Sequence, residues 1–155
     1  MSVSGRLHEL GLSLPTVVPP VATYVPAVRH GDLVWTSGQL PMVDGALPFT
    51  GKVGEGPGLV TPEQATELAR VAALNGLAAI AAKVGNLDAV VKIVKVVGYV
   101  ASDPSFTGQP AVVNGASNLL GDVFGEAGLH ARSAVGVAAL PLDAPVEIEL
   151  VVAVS

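Results

Sequence analysis

The spacing of apolar and polar positions changes several times along this chain, and each change marks an element. From Val146 to Val154 apolar residues alternate with Glu147, Glu149, Val151 and Ala153, the period of two of a strand with one face buried. Leu33-Val34-Trp35-Thr36-Ser37 is a second β-prone run, ended by Gly38. Tyr24 to Val28 precedes it, with Pro26 inside, as an edge strand requires. His30-Gly31-Asp32 turns between the two, so they read as a hairpin. Val90 to Val100 is apolar in both registers: Val91, Ile93, Val97 and Tyr99 on one face, Val90, Val94, Val96 and Val100 on the other. A strand apolar on both faces is covered on both. Helices cover one side, and in so short a chain a partner subunit is the expected cover for the other. Ser133 to Leu140 is a further strand, and Asp143-Ala144-Pro145 turns into the last one.

The helical period appears in two long stretches. Thr61-Pro62-Glu63-Gln64 combines an N-cap threonine, proline at the first helical position and a capping-box glutamine. Leu68, Val71, Ala72, Leu74, Ala78, Ala79 and Ala82 then recur at spacings of three and four until Gly85. Pro110 to Gly128 is the second helix, with Val113, Leu120, Val123 and Ala127 inward. A short helix over residues 4 to 11, with Ser4 as cap, opens the chain, and Leu14 to Pro20 forms an extended segment rich in proline. Pro41 to Pro57 lacks periodicity and reads as a loop with at most one short strand. The order α, β, β, α, β, α, β, β predicts an α+β sheet with two helices on one face plus the short N-terminal helix. It fills a single domain over 1–155, of which 1–20 is an extension.

Composition narrows the possible chemistry. Half of the 155 residues are hydrophobic and only 14% are charged, against about 25% in an average soluble domain. So little charge on a small domain implies apolar surface buried between subunits. The net charge of −5 argues against many phosphate contacts, so nucleic acid is not an expected partner. The absence of cysteine excludes disulfides, thiol catalysis and cysteine-bound zinc. His8, His30 and His130 have no ligand spacing, and no metal is expected. No run of about 18 apolar residues marks a membrane span, and the N-terminus lacks the pattern of a secretory signal, which makes the cytoplasm the default location.

Few residues remain to do chemistry. Arg132 heads an apolar strand, and burying a guanidinium costs several kcal/mol unless an anion meets it. An ion pair with Glu147 or Glu149 across a hairpin satisfies it, and so does a bidentate clamp on a substrate carboxylate. Glu147 and Glu149 share one face with apolar Val151 and Ala153, where a carboxylate can have a raised pKa and act as a base. Thr36-Ser37-Gly38-Gln39 lacks a nucleophile-elbow pattern, and its backbone N–H groups suit an anion or carbonyl cradle better. The glycines at 51, 54, 56 and 58 carry neither dinucleotide nor P-loop spacing. Tyr24 and Asn114 could meet a ligand, but packing and capping are the ordinary uses of such residues. His130 precedes Arg132 and could share its site, but a plain structural histidine is the preferred reading.

Taken in order, these residues resemble the Rid proteins, reactive intermediate deaminases also called YjgF-like or endoribonuclease L-PSP-like. The matching features are Tyr24, Thr36-Ser37-Gly38-Gln39-Leu40-Pro41, Gln64…Asn75, the Val90–Ala101 strand with Asp103, Asn114, Ala131-Arg132-Ser133, Leu140-Pro141 and Glu147-Ile148-Glu149. The resemblance implies a chorismate-mutase-like fold, a homotrimer and sites in the clefts between subunits. It places the carboxylate-binding arginine on Arg132 and the water-positioning glutamate on Glu147. Tyr24, Ser37, Gly38, Asn114 and Ala134 then fall around the substrate. The implied reaction is hydrolytic deamination of a 2-imino acid or its enamine to a 2-oxo acid and ammonia, without metal or organic cofactor. A non-catalytic trimer that binds small carboxylates is the alternative. A ribonuclease or translation inhibitor fits the acidic charge less well. Departures surround the pocket: Ala22-Thr23-Tyr24 replaces Gly-Pro-Tyr, Ala134 stands where cysteine is frequent, and His130 replaces the usual proline. The N-terminal helix and the Gly/Pro insertion near 43–60 resemble a longer branch of the family.

Overall fold

The computed structural model describes all residues except Val18 and Val21. Eight main elements follow in the expected order: α1 (Val3–Glu9), β1 (Ala27–His30), β2 (Leu33–Thr36), α2 (Pro62–Val84), β3 (Val90–Ala101), α3 (Gln109–Phe124), β4 (Ala131–Val137) and β5 (Val146–Val154). The strands form one sheet in the order β1-β2-β5-β3-β4. All neighbours are antiparallel except β3 and β4, which run parallel with α3 as their crossover. This is the expected α+β architecture, with α2 and α3 on one face of the sheet.

Local chemistry explains where α2 starts. Thr61 accepts from the Gln64 backbone N–H, and the Gln64 side chain accepts in return from Thr61 N–H. The helix is 23 residues long and apolar enough to cross a membrane by composition, yet 56% of its most apolar window is buried inside this fold. Its alanines let it lie close to β5 and α3. Gly115 of α3 marks the tightest point, where a Cβ would strike the backbone carbonyl of Thr66. The core runs between sheet and helices and includes Leu77, Ile80, Ile93, Val96, Leu119, Leu120, Ile148 and Leu150.

Several boundaries differ from expectation for physical reasons. The first strand begins at Ala27, after Pro26, so Tyr24 lies in the bend before it and is 55% exposed. The cap of α1 is Ser2, whose side chain accepts from Gly5 N–H, rather than Ser4. Of the segment expected to be extended, residues 14–17 and 19–20 have no regular structure, and Val18 lies outside the described residues. The second long helix ends at Phe124 and continues as a 3-10 turn over Gly125–Gly128. Strand β4 starts at Ala131, two residues early, and ends at Val137. The turn into β5 comes at Pro141–Asp143, with Leu142 and Asp143 in the left-handed region.

The largest correction concerns β3. Its register against β5 shifts between Val90 and Lys92 and again between Ile93 and Lys95. Each irregularity breaks the period of two. Ile93 therefore turns to the helices with Val90, Val96 and Val100, while Val94 joins Val91 among the exposed residues. The sheet face opposite the helices carries Val28, Trp35, Val94 and Val135, each at least 37% exposed. Within one chain that apolar face has no cover among the described residues.

Candidate functional site

Arg132 sits on β4, a strand at the edge of the sheet, with its side chain turned to the helix side. Nη1 donates to Asn114 Oδ1 at 2.7 Å and to Ser117 Oγ at 3.2 Å, and Nη2 donates to the Pro110 carbonyl at 3.2 Å. All three acceptors belong to the first nine residues of α3 and all are neutral. No carboxylate pairs with Arg132 among the described residues, where the single ion pair joins Arg6 and Glu9. The ion-pair reading of Arg132 with Glu147 or Glu149 is thereby overturned. Strand β3 lies between β4 and β5, and the two glutamates point away from the helices. A guanidinium carries five N–H donors in a planar fork. Three are engaged here, and the others are free to meet a planar carboxylate.

Behind Arg132 stands a pair of which the sequence reading names only His130, as a structural histidine that could share the site, and misses Ser117. Ser117 Oγ lies 2.9 Å from His130 Nε2, and His130 Nδ1 lies 2.6 Å from the Gly128 carbonyl. A carbonyl only accepts, so Nδ1 carries the proton. Ser117 follows Asn114 by one helical turn, which puts both on the face toward β4; that spacing is the signal that could have revealed it. An open groove of about 600 Å3 adjoins the guanidinium, lined by Ser117, Asn118, Gly121, Asp122, Leu129 and His130. Ala134, two residues beyond Arg132, packs against the core.

A second cluster forms on the opposite face of the sheet. Glu147 is half-buried, and burial holds its carboxyl above the ordinary carboxylate range, with the charge of Glu149 pushing the same way. Tyr99 is the cross-strand partner of Glu147 and donates its hydroxyl to Glu149 Oε1 at 3.1 Å. Burial, that hydrogen bond and both glutamates raise the Tyr99 phenol above its usual range. Gly38 lies directly against Glu147, and a Cβ there would fall on the carboxylate. Only glycine lets the two approach so closely.

The loop bearing Gly38 is fixed from several sides. Ser37 Oγ donates to the Val25 carbonyl at 2.7 Å and its N–H to the Pro26 carbonyl at 2.8 Å. Gln39 N–H donates to the Ile148 carbonyl at 2.8 Å. Asn75, from the middle of α2, donates to the carbonyls of Leu40 and Met42 at 3.0 and 3.1 Å. The expectation of a backbone cradle is corrected in part: the N–H groups of Ser37 and Gln39 are already engaged. Gly38 N–H has no partner among the described residues. Tyr24 precedes Val25 in the chain, and its backbone N–H donates to the Ala22 carbonyl.

The structure thus groups Arg132 with Asn114, and Glu147 with Gly38 and its neighbour Ser37. It does not bring the two groups together within one chain. One group can hold an anion, and the other holds a carboxylate whose affinity for a proton is raised by burial and by the charge of Glu149.

Comparison with known proteins gives a consistent outcome. Residues 4–153 match the family described as "YjgF/chorismate mutase-like, putative endoribonuclease". Protein TCP17 of Trypanosoma cruzi is 42% identical over 151 residues, covering 97% of this chain and 92% of that protein. The crystal structure of Atu1372 from Agrobacterium tumefaciens, a protein of unknown function, superposes with a TM-score of 0.89 at 43% identity, covering 99% of this chain and 92% of that one. TdcF of Escherichia coli, crystallised with bound serine, superposes with a TM-score of 0.62 at 27% identity, over 88% of this chain and 92% of that one.

Proposed function

From the two residue groups and the fact that the chain belongs to the YjgF/chorismate mutase-like family, we propose that it hydrolyses reactive 2-imino acids to 2-oxo acids and ammonia, in a site that two subunits of a homotrimer complete. The observation that carries this reading is an arginine held ready by neutral oxygens with no anion of its own. A guanidinium in that state is a receptor for a small carboxylate. Serine, the molecule bound to TdcF, is a ligand of that kind. The uncovered apolar face supports assembly, because closing it against other copies removes that surface from water.

Arg132 holds the substrate carboxylate. Glu147 comes from the neighbouring subunit, since within one chain it faces the other side of the sheet. Its raised pKa makes it a better base than an ordinary carboxylate. It takes a proton from a water as the oxygen adds to C2 of the iminium. The C2–O bond forms and the C=N double bond becomes single, giving a carbinolamine. Glu147 returns the proton to the nitrogen, then takes the hydroxyl proton as the C=O forms and the C–N bond breaks, and ammonia leaves and carries that proton away as ammonium. Gly38 gives the carboxylate its place, because any side chain there would fall on it.

The test is release of ammonia and 2-oxobutanoate from 2-iminobutanoate generated in situ. Arg132→Ala and Glu147→Gln are each expected to lose about 100-fold or more in kcat/KM. Equal rates for wild type and Arg132→Ala would sink the reading. Binding of small carboxylates that needs Arg132, with no turnover of any imine, would instead identify a ligand-binding module.

A further inference from the structure

The hydrogen bonds behind Arg132 run in one direction only. His130 Nδ1 donates to the Gly128 carbonyl. In the neutral ring Nε2 is then an acceptor, and the group beside it is the Ser117 hydroxyl. Beside that neutral ring Ser117 gives its single proton to His130, which leaves its oxygen lone pairs turned to Arg132 Nη1 at 3.2 Å. With a neutral imidazole, the chain Arg132 → Ser117 → His130 → Gly128 has a donor and an acceptor at every step.

We infer that Ser117 and His130 are positioning residues that hold the Arg132 guanidinium in its carboxylate-receiving orientation. The inference rests on the reading of Arg132 as a carboxylate clamp. Without Ser117, the Nη1 group keeps only Asn114, and the fork can swing into the open groove of about 600 Å3 beside it. Without His130, the Ser117 hydroxyl is free to rotate its proton toward Arg132 and repel the donor it should receive. Gly128, at the end of the chain of bonds, is buried so tightly that a Cβ would strike the Leu120 carbonyl. The acceptor that fixes the imidazole is thus itself fixed to α3, so both ends of the chain are anchored on that helix.

A group that only orients a carboxylate clamp acts equally on bound substrate and transition state, so its loss raises KM more than it lowers kcat. Ser117→Ala is expected to weaken 2-oxobutanoate binding, read by calorimetry, and to raise KM by roughly 3- to 10-fold. His130→Ala should do so by a smaller factor. Ser117→Thr, which keeps the hydroxyl, should stay close to wild type. Nitrogen-15 NMR of the His130 ring at neutral pH should show the proton on Nδ1 in wild type and a changed tautomer balance in Ser117→Ala. If Arg132→Ala loses carboxylate binding while Ser117→Ala and His130→Ala bind like wild type, the positioning role is wrong and the clamp stands. If Arg132→Ala itself binds normally, the clamp reading has failed instead. A proton found on Nε2 in wild type would overturn the directional chain directly.

Discussion

The two charged regions of this protein solve opposite problems. Arg132 is surrounded by neutral acceptors and held in place without any counter-charge. Glu147 is half-buried beside a second carboxylate, with its ionised form disfavoured from two causes. One region is ordered and short of an anion, the other crowded and short of a cation. Ordinary folding would pair them, as surface ion pairs form wherever long side chains meet. Here β3 lies between their strands and the sheet separates their faces, so the chain cannot neutralise its own site. The comparison teaches that both charges remain available to something outside the chain, whether substrate or another subunit.

The sharpest way to break this comparison is to mix subunits. Arg132→Ala and Glu147→Gln chains, each inactive alone, are co-expressed or refolded together. A site shared between neighbours in a closed ring then regains about a quarter of the wild-type sites at equal mixing. A site made within one chain regains none, and an ammonia assay on the mixture decides between them. A smaller effect is expected from Gly38→Ala. The new methyl displaces the Glu147 carboxylate, for a loss of about 10-fold or more in kcat and about 1–3 kcal/mol of stability. Activity with chemical denaturation separates the two, and unchanged kcat would remove Gly38 from the site.

The smallest effect sharpens the carboxylate side of the comparison alone. Glu147 has a folded pKa above its unfolded one, so the stability it contributes is fully present below the ordinary carboxylate range. That stability is lost as pH rises through its folded pKa. In an Arg132→Ala background, where no neighbouring guanidinium can offset the charge, Glu147→Gln should therefore raise the melting temperature near pH 7. The gain should vanish near pH 4. Melts across that range check the sign, and a lower melting temperature at pH 7 would mean that Glu147 is stabilised by a contact not described above.

What the sequence disclosed divides along physical lines. Elements whose determinants are local were legible: the Thr61 capping box starts α2 where expected, and the alternation of β5 gives its ends and its two faces. Features set by pairing were not. The irregular register of β3 depends on its fit to β5, and nothing within the strand itself announces that Ile93 and Val94 change faces. Pro26 limits β1 by removing a donor, which the β-prone run around Tyr24 concealed. The residue types of the site were legible in their order along the chain, as were Arg132 and Asn114 as candidates. That Arg132 has no carboxylate partner required the strand order. Ser117 and His130 meet across the end of α3, where thirteen residues of chain, including a 3-10 turn, hide their contact from any periodic reading.

The sheet that carries the fold also acts as a partition, and that gives the proposed activity a dependence on concentration. Half-sites on opposite sides of one sheet become a whole site only when copies associate, so catalysis answers to mass action as well as to folding. Diluted below its dissociation constant, such a protein would fall silent while each copy stays folded. It would recover on concentration with no refolding step. Specific activity would then report how many neighbours each copy has.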